Sequence, residues 1–286
     1  MAQNGNPVFS GNRIFRDPQA NQGRQGYARY AGPAAPTAGQ QSQFSSQQLQ
    51  DLYNAPSAGP VQTGRMTYDD VIVKTLGTLA LVLVGAAVGW IFPILTLPGM
   101  LVGLALGLVN SFKREPSPAL IMVYAVAEGM FLGGLSGVLE GLYPGIVIQA
   151  VIGSLSVFAV TLLLFKSGKV RATPKMTKFF LIALGGYFVF SLINFGLMIF
   201  NVTNSPWGIR SMDIPGTHIP FGVVLGLLAV GLAAFSLIMD FTSIQRGVEN
   251  GVPARYSWTA AFGLTVTLVW LYVEILRLLA IMRGNN

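Results

Sequence analysis

The sequence contains no cysteine and a single histidine, His218. The first absence excludes disulfides, thiolate metal sites and cysteine nucleophiles, and the second excludes bis-histidine haem and any histidine-rich metal site. Charged side chains are also scarce. They make up 10% of the 286 residues, against about 25% in soluble domains. A water-soluble globular fold is therefore excluded.

Long apolar runs accompany this scarcity of charge. Each is about long enough to cross a hydrocarbon core of about 30 Å as a helix, although the second is short and would have to tilt or thin the bilayer. The predicted spans are 71–92, 98–112, 118–139, 145–165, 177–200, 219–244 and 258–282. The sequence thus predicts an all-α integral membrane protein, a bundle of seven transmembrane helices.

Residues 1–68 differ in composition from the rest of the chain. They are rich in Gln, Gly and Pro and show no apolar periodicity. This composition predicts a disordered tail, whose scattered aromatic residues either contact a partner or are simply solvated. Residues 69–286 form the predicted transmembrane domain. The start of the chain has no apolar signal-peptide core, so we expect the first span to direct insertion.

Basic residues are unevenly distributed among the predicted loops. Nine Lys and Arg lie in the loops after spans two, four and six, and one, Arg210, lies in the other three loops. The positive-inside rule therefore predicts a cytoplasmic N-terminus and an external C-terminus. Anionic headgroups of the lipid bilayer explain the net charge of +7, so no nucleic-acid partner is expected.

Glycine recurs every fourth residue on the second and third spans. The positions are Gly99, Gly103 and Gly107, then Gly129, Gly133, Gly137 and Gly141. Such spacing places small residues on one helix face and allows two backbones to approach closely. The pattern predicts close helix packing.

Three acidic residues, Glu128, Asp240 and Glu274, fall within predicted spans. A charged carboxylate at mid-membrane costs about 2.5–3.5 kcal/mol on insertion scales, so each must be paired, protonated or in contact with water. Stepping back from Asp240 in helical turns gives Ser236, Ala233 and further small residues. This small-residue face predicts that Asp240 points into the bundle.

Asp240 and Glu274 lie on consecutive antiparallel spans, so we interpret them as a carboxylate pair. Glu274 lies sixteen residues after Trp258, about 24 Å along a helix, whereas Asp240 lies near the cytoplasmic end of its span. The two meet only if residues 256–262 are largely cytoplasmic or the sixth helix continues well past Asp240.

A carboxylate pair that meets would titrate as a unit and act as a pH sensor, with one proton shared near neutrality. Ca²⁺ would compete with that proton for Asp240 and Glu274, which supply fewer oxygens than the ion takes and therefore suit permeation better than storage. The alternative is a buried structural pair neutralised by Arg277. Arg277 either neutralises Glu274 in this way or extends towards the interface.

Two further acidic residues are candidates for pore-lining or gate positions. Glu128 lies near the centre of the third span, one turn after Tyr124, and either hydrogen-bonds locally as a neutral acid or serves function. Glu140 lies at the outer end of the same span and is interpreted as a residue of the pore mouth. Arg277 is the basic gate candidate beside them.

No enzyme class fits this inventory. Gly134-Leu135-Ser136-Gly137 matches the nucleophile pattern of rhomboid-type intramembrane proteases, but their histidine base would have to be His218, in an external loop. A packing face explains Ser136 better. Intramembrane aspartyl proteases carry G-x-G-D, which does not precede Asp240. We therefore expect no enzymatic activity and no cofactor, with Ca²⁺ entering only as a transported ion.

The segments Met239-Asp240-Phe241-Thr242-Ser243-Ile244-Gln245 and Leu268-Val269-Trp270-Leu271-Tyr272-Val273-Glu274-Ile275-Leu276-Arg277 resemble the Bax inhibitor-1 family, in its bacterial YccA-like branch. Two further segments, 128–134 and 139–145, support the resemblance, which covers about residues 71–282. It implies seven helices with the seventh at the centre and six around it, in a bacterial inner membrane.

The resemblance also implies a function. The family is associated with pH-dependent calcium leak, and in bacteria with modulation of a membrane AAA protease, so the alternative is a non-conducting regulator. By position, Asp240 and Glu274 resemble its proton-sensitive acidic pair. Three features depart from the family pattern: glutamate at 274, a longer connection from 240 to 274, and the N-terminal tail as an addition. The family's basic latch has no single counterpart here, with Lys113, Arg114 and Arg277 all possible.

Overall fold

A computed structural model describes residues 63–168, 170–200, 202, 205 and 207–284. Within these residues the chain forms seven long helices and no strands. The helices are α1 (Tyr68–Ile91), α2 (Thr96–Phe112), α3 (Pro118–Leu142), α4 (Ile146–Lys166), α5 (Pro174–Ile199), α6 (Phe221–Glu249) and α7 (Ser257–Gly284). The predicted all-α fold is confirmed. Of the predicted tail, residues 1–62 lie outside the described residues.

All seven helices are long and apolar enough to cross a membrane. The short second span is completed by a 3-10 turn, Pro93–Leu95, which continues into α2 to give a span of 20 residues. The sixth helix ends at Glu249, five residues later than predicted. It therefore continues well past Asp240, which was one of the two conditions for a meeting with Glu274.

Helix α3 packs against α1 and α2 through glycine. A Cβ atom at Gly85 or Gly89 of α1, or at Gly129 or Gly133 of α3, would overlap a backbone oxygen of the facing helix. On α2, a Cβ atom at Gly99 would lie 2.8 Å from the carbonyl oxygen of Ala127. The glycine pattern therefore produces backbone contact between helices, as predicted.

Helix α7 lies at the centre of the bundle and contacts α1, α3, α4 and α6. Its buried residues run along most of its length, from Ser257 to Ile281. Polar contacts link it to its neighbours as well: the hydroxyls of Thr78 and Thr265 lie 2.8 Å apart across the α1–α7 contact. The central seventh helix implied by the family resemblance is thus confirmed.

Folded structure begins before the predicted domain boundary at residue 69. The Met66 N–H donates to the Val252 carbonyl at 2.7 Å, and the Ala254 N–H donates to the Gly64 carbonyl at 2.8 Å. Met66 is 1% exposed. Residues 64–66 therefore pack against the α6–α7 connection, a long-range contact that local composition does not encode.

Candidate functional site

Asp240 is fully buried on α6, with 0% of its surface exposed. The small-residue face inferred from the sequence lies inside the bundle, since Ala229, Ala233 and Ser236 are all buried. Across this face the Thr267 hydroxyl of α7 donates to the Asp240 carboxylate at 2.7 Å. The predicted inward orientation of Asp240 is therefore observed.

Glu274 is 3% exposed and is held by three donors. The Tyr187 hydroxyl of α5 donates to its Oε1 at 2.6 Å, and the Trp270 indole N–H donates to the same oxygen at 3.0 Å. Arg277, one turn further along α7, forms an ion pair with Oε2. Of the two interpretations of Arg277, the structure shows neutralisation of Glu274.

The two buried carboxylates bind neighbours at different levels of the bundle. Thr267, the partner of Asp240, precedes Glu274 by two turns of α7, which is about 10 Å along the axis. The register of α6 against α7 agrees, because a Cβ atom at Gly226 would lie 2.9 Å from Leu278. Glu274 is thus level with residues of α6 near Ala233. The two buried carboxylates therefore lie about two helical turns apart along the contact between α6 and α7.

Arg210, which the sequence assigned to an external loop, is 3% exposed. It belongs to a 3-10 turn, Gly208–Ser211, that folds back into the bundle between α5 and α6. Its Nη2 donates to the Tyr187 hydroxyl at 3.3 Å and to the Ser191 hydroxyl at 2.8 Å. Tyr187 thus joins Arg210 to Glu274. The sequence signal available for this residue was its isolation as the one basic residue on that side.

Glu128 is half-buried at the contact between α3 and α2. Its Oε2 lies 2.6 Å from the position that a Cβ atom of residue 103 would occupy, so Gly103 provides the space for this carboxylate. Tyr124 packs edge-on against Phe262 of α7, with ring centroids 5.0 Å apart. The Glu128 carboxylate therefore faces α2, and its role as a pore-lining or gate residue stays a prediction.

Glu140 caps the start of α4. Its carboxylate accepts hydrogen bonds from the Gly145 N–H at 2.6 Å and the Val147 N–H at 3.0 Å. An acidic group at a helix N-terminus satisfies free backbone donors and complements the helix dipole. Glu140 also lines an open surface depression with Trp90 and Gly137. Its observed contacts are structural, and its role at a pore mouth stays a prediction.

Ser136 has a structural contact as well. Its hydroxyl lies 2.6 Å from the Tyr272 hydroxyl and links α3 to α7. This supports the packing interpretation of the Gly-x-Ser-Gly segment. For metal binding, the described part of the chain contains no group of three or more His, Cys, Asp or Glu side chains able to hold an ion. The Ca²⁺ site at Asp240 and Glu274 stays a prediction.

These features define a multi-pass membrane protein whose central helices carry buried acidic side chains. A family model described as Bax inhibitor 1 like matches residues 6–284, and the chain belongs to that family. The match includes most of the N-terminal segment, which the resemblance described above did not cover and which was interpreted as an addition to the family pattern. No curated protein and no solved structure matches the chain.

Proposed function

We propose that the protein is a pH-sensitive leak path for Ca²⁺ in which Asp240 and Glu274 are successive stations for the ion. Family membership supports a membrane regulator or ion-flux modulator in general. The observation that carries the finer proposal is the complete burial of Asp240 against α7, with Glu274 buried two turns further along the same helix. Buried carboxylates are costly in a membrane, and they typically mark ion or proton pathways.

Protonation provides the gate in this proposal. Glu274 binds Arg277 of its own helix and Tyr187 of α5, so its negative charge holds two elements together. A proton on Glu274 removes that charge, weakens the ion pair and loosens α5 against α7. A proton on Asp240 removes the charge that would attract a cation. The pH dependence of flux therefore reports both residues.

The test is Ca²⁺ uptake by proteoliposomes of the purified protein over a pH range of about 6 to 8, in which the effect of protonating a buried carboxylate on flux can be followed. We expect Asp240→Asn and Glu274→Gln each to change the pH dependence of uptake. Glu115→Gln is the matched control, because the Glu115 side chain is 61% exposed and its ion pair within the described part of the chain is with a surface arginine, Arg255, at 3.5 Å. A double Asp240/Glu274 variant with the pH dependence of the wild type would contradict the mechanism.

A second candidate function is a non-conducting regulator that binds a membrane AAA protease. The observation in its favour is the attachment of residues 64–66 to the α6–α7 connection, which places the end of the tail against the two helices that carry Asp240 and Glu274. A partner bound to residues 1–62 would act directly on that connection. Deleting 1–62 while keeping 63–68 should abolish capture of such a protease and leave Ca²⁺ uptake intact.

We also propose that the protein lies in a bacterial inner membrane with its N-terminus in the cytoplasm. The end of α4 and the start of α5 lie at the same end of the bundle as the α6–α7 connection, because the two helices α5 and α6 separate them. That end carries the basic residues Arg171, Lys175 and Lys178, and residues 64–66 attach to it. Because the chain has no cysteine, Lys175→Cys would provide a single thiol. An impermeant thiol reagent applied outside intact cells should leave it unmodified.

A further inference from the structure

The connection between α5 and α6 returns into the bundle through the segment Trp207–Ser211. Asn194 of α5 holds it at two points: its Oδ1 accepts from the Ile209 N–H at 2.8 Å, and its Nδ2 donates to the Trp207 carbonyl at 3.2 Å. Gly208 adopts a φ of +63°, and a Cβ atom there would overlap Asn194. The segment is thus fixed in place by contacts specific to this position.

The same segment closes over the start of α6. A Cβ atom at Gly222 would lie 2.6 Å from the Arg210 carbonyl oxygen and 2.7 Å from Ile281 of α7. Gly222 therefore allows α6, α7 and the returning segment to meet at one point. Glu274 is the first acidic residue of α7 inward from Ile281, two turns earlier in the helix.

Arg210 is the charge that this segment carries inward. Its guanidinium lies 5.3 Å from the centre of the Tyr187 ring and 5.5 Å from that of Phe190. The Nε and Nη1 atoms are buried and have no hydrogen-bond partner among the described residues. A buried guanidinium with unsatisfied donors is unfavourable, so the hydrogen bonds of Asn194 must hold the segment in place against this cost.

Arg277 adds a second positive charge beside Arg210. Arg210 and Arg277 both donate to the same acceptor, the Tyr187 hydroxyl, which itself donates to Glu274. Around this hydroxyl two guanidinium groups face one carboxylate. The cluster therefore carries an excess positive charge, on the line between the α5–α6 end of the bundle and Glu274.

We propose that Trp207–Ser211 is a plug that closes the α5–α6 end of the path to Glu274, and that Arg210 is its charge barrier to cations. The plug limits the access of water to Glu274 from this end, and the hydrogen bonds of Asn194 and the close contact at Gly222 support it. The charge barrier deepens the proposed leak function and rests on it, because a cation that reaches Glu274 from this end must pass the Arg210 guanidinium.

Thiol accessibility tests the plug without reference to flux. Ala233→Cys introduces a single thiol on α6, level with Glu274, where the native residue is 0% exposed. Ala260→Cys is the control thiol, equally buried but at the other end of α7. The protein is reconstituted in nanodiscs, so that both faces are open to a small methanethiosulfonate reagent.

Two glycine substitutions then separate the plug from general backbone strain. Gly208→Ala would strike Asn194, whereas Gly216→Ala, at a φ of +82° in the same connection, has open space around it. We expect Gly208→Ala to speed modification at 233 by about tenfold or more, because it displaces the segment from its hydrogen bonds, and to leave 260 unchanged. Gly216→Ala should leave both rates unchanged. Asn194→Ala is the second plug variant and should act like Gly208→Ala.

Three results would overturn the plug: an unchanged rate at 233 in both plug variants, equal acceleration at 233 and 260, or equal acceleration by Gly208→Ala and Gly216→Ala. Flux tests the charge barrier. Arg210→Gln should raise Ca²⁺ leak in liposomes and Arg210→Lys should not, so equal leak in wild type and Arg210→Gln would overturn the barrier. If no variant passes Ca²⁺, the proposed leak function fails and with it the barrier, while the thiol rates still decide the plug.

Discussion

The glycine contact between α1 and α3 supports a quantitative prediction. A Cβ atom added at Gly85 would overlap the Val126 carbonyl oxygen and lie 3.1 Å from both the Gly129 Cα and the Met130 nitrogen. All three atoms are backbone, so no side chain can rotate away and the helices must separate. Overpacking of this kind costs about 1–3 kcal/mol. We therefore expect Gly85→Ala to lower the free energy of unfolding by about 1–3 kcal/mol or more.

The matched control lies two turns earlier on the same helix. A Cβ atom at Gly77 would meet nothing within 4 Å, so Gly77→Ala should be neutral or stabilise α1 by about 0.5–1 kcal/mol through helix propensity. The assay is thermal unfolding of both variants in one detergent, followed by loss of monodisperse protein. Equal melting temperatures for Gly85→Ala and Gly77→Ala would refute the argument from backbone contact.

Three further predictions concern single side chains. Met66→Ala should destabilise the bundle by about 2–5 kcal/mol, because Met66 is 1% exposed against the α6–α7 connection, and a thermal melt would detect it. Thr78→Val should cost about 0.5–1.5 kcal/mol, because it removes the 2.8 Å bond to Thr265, and Thr78→Ser should restore that loss in the same melt. Tyr187→Phe should destabilise the cluster by about 1–3 kcal/mol, because it removes the hydroxyl that joins two arginines to Glu274, and an unchanged melt would contradict that role.

Much of the fold was predictable because membrane spans and helix faces have local signatures. Apolar runs located the seven helices, and four-residue glycine spacing identified the close contacts of α3. The face containing Asp240 followed from the same periodicity, since only small residues precede it at helical spacing. These inferences require no knowledge of which helices are neighbours.

The contacts that were not predictable depend on chain segments far apart in sequence. Arg210 is read from sequence as a loop residue, because nothing near it shows that its segment returns to Tyr187, 23 residues earlier. Met66 belongs by composition to the tail, yet its partner is Val252. Glu140 has a local partner in Val147, but an acidic residue at a span end reads equally as a cap or as a solvent-facing group.

The attachment of α5 has a mechanical consequence. In lipid, helices gain little from burying apolar surface against one another, so association depends on close packing and polar contacts. Helices α1 to α3 meet through backbone, whereas α5 is joined to the bundle largely by side-chain tips: Tyr187, Asn194 and the Phe180 ring, 5.2 Å from Phe235. Separating α5 would therefore break a few point contacts and leave the helix intact. Helices α1 to α3 thus form a closely packed part of the bundle, whereas α5 is attached mainly through side chains, and the Glu274 cluster lies at that attachment.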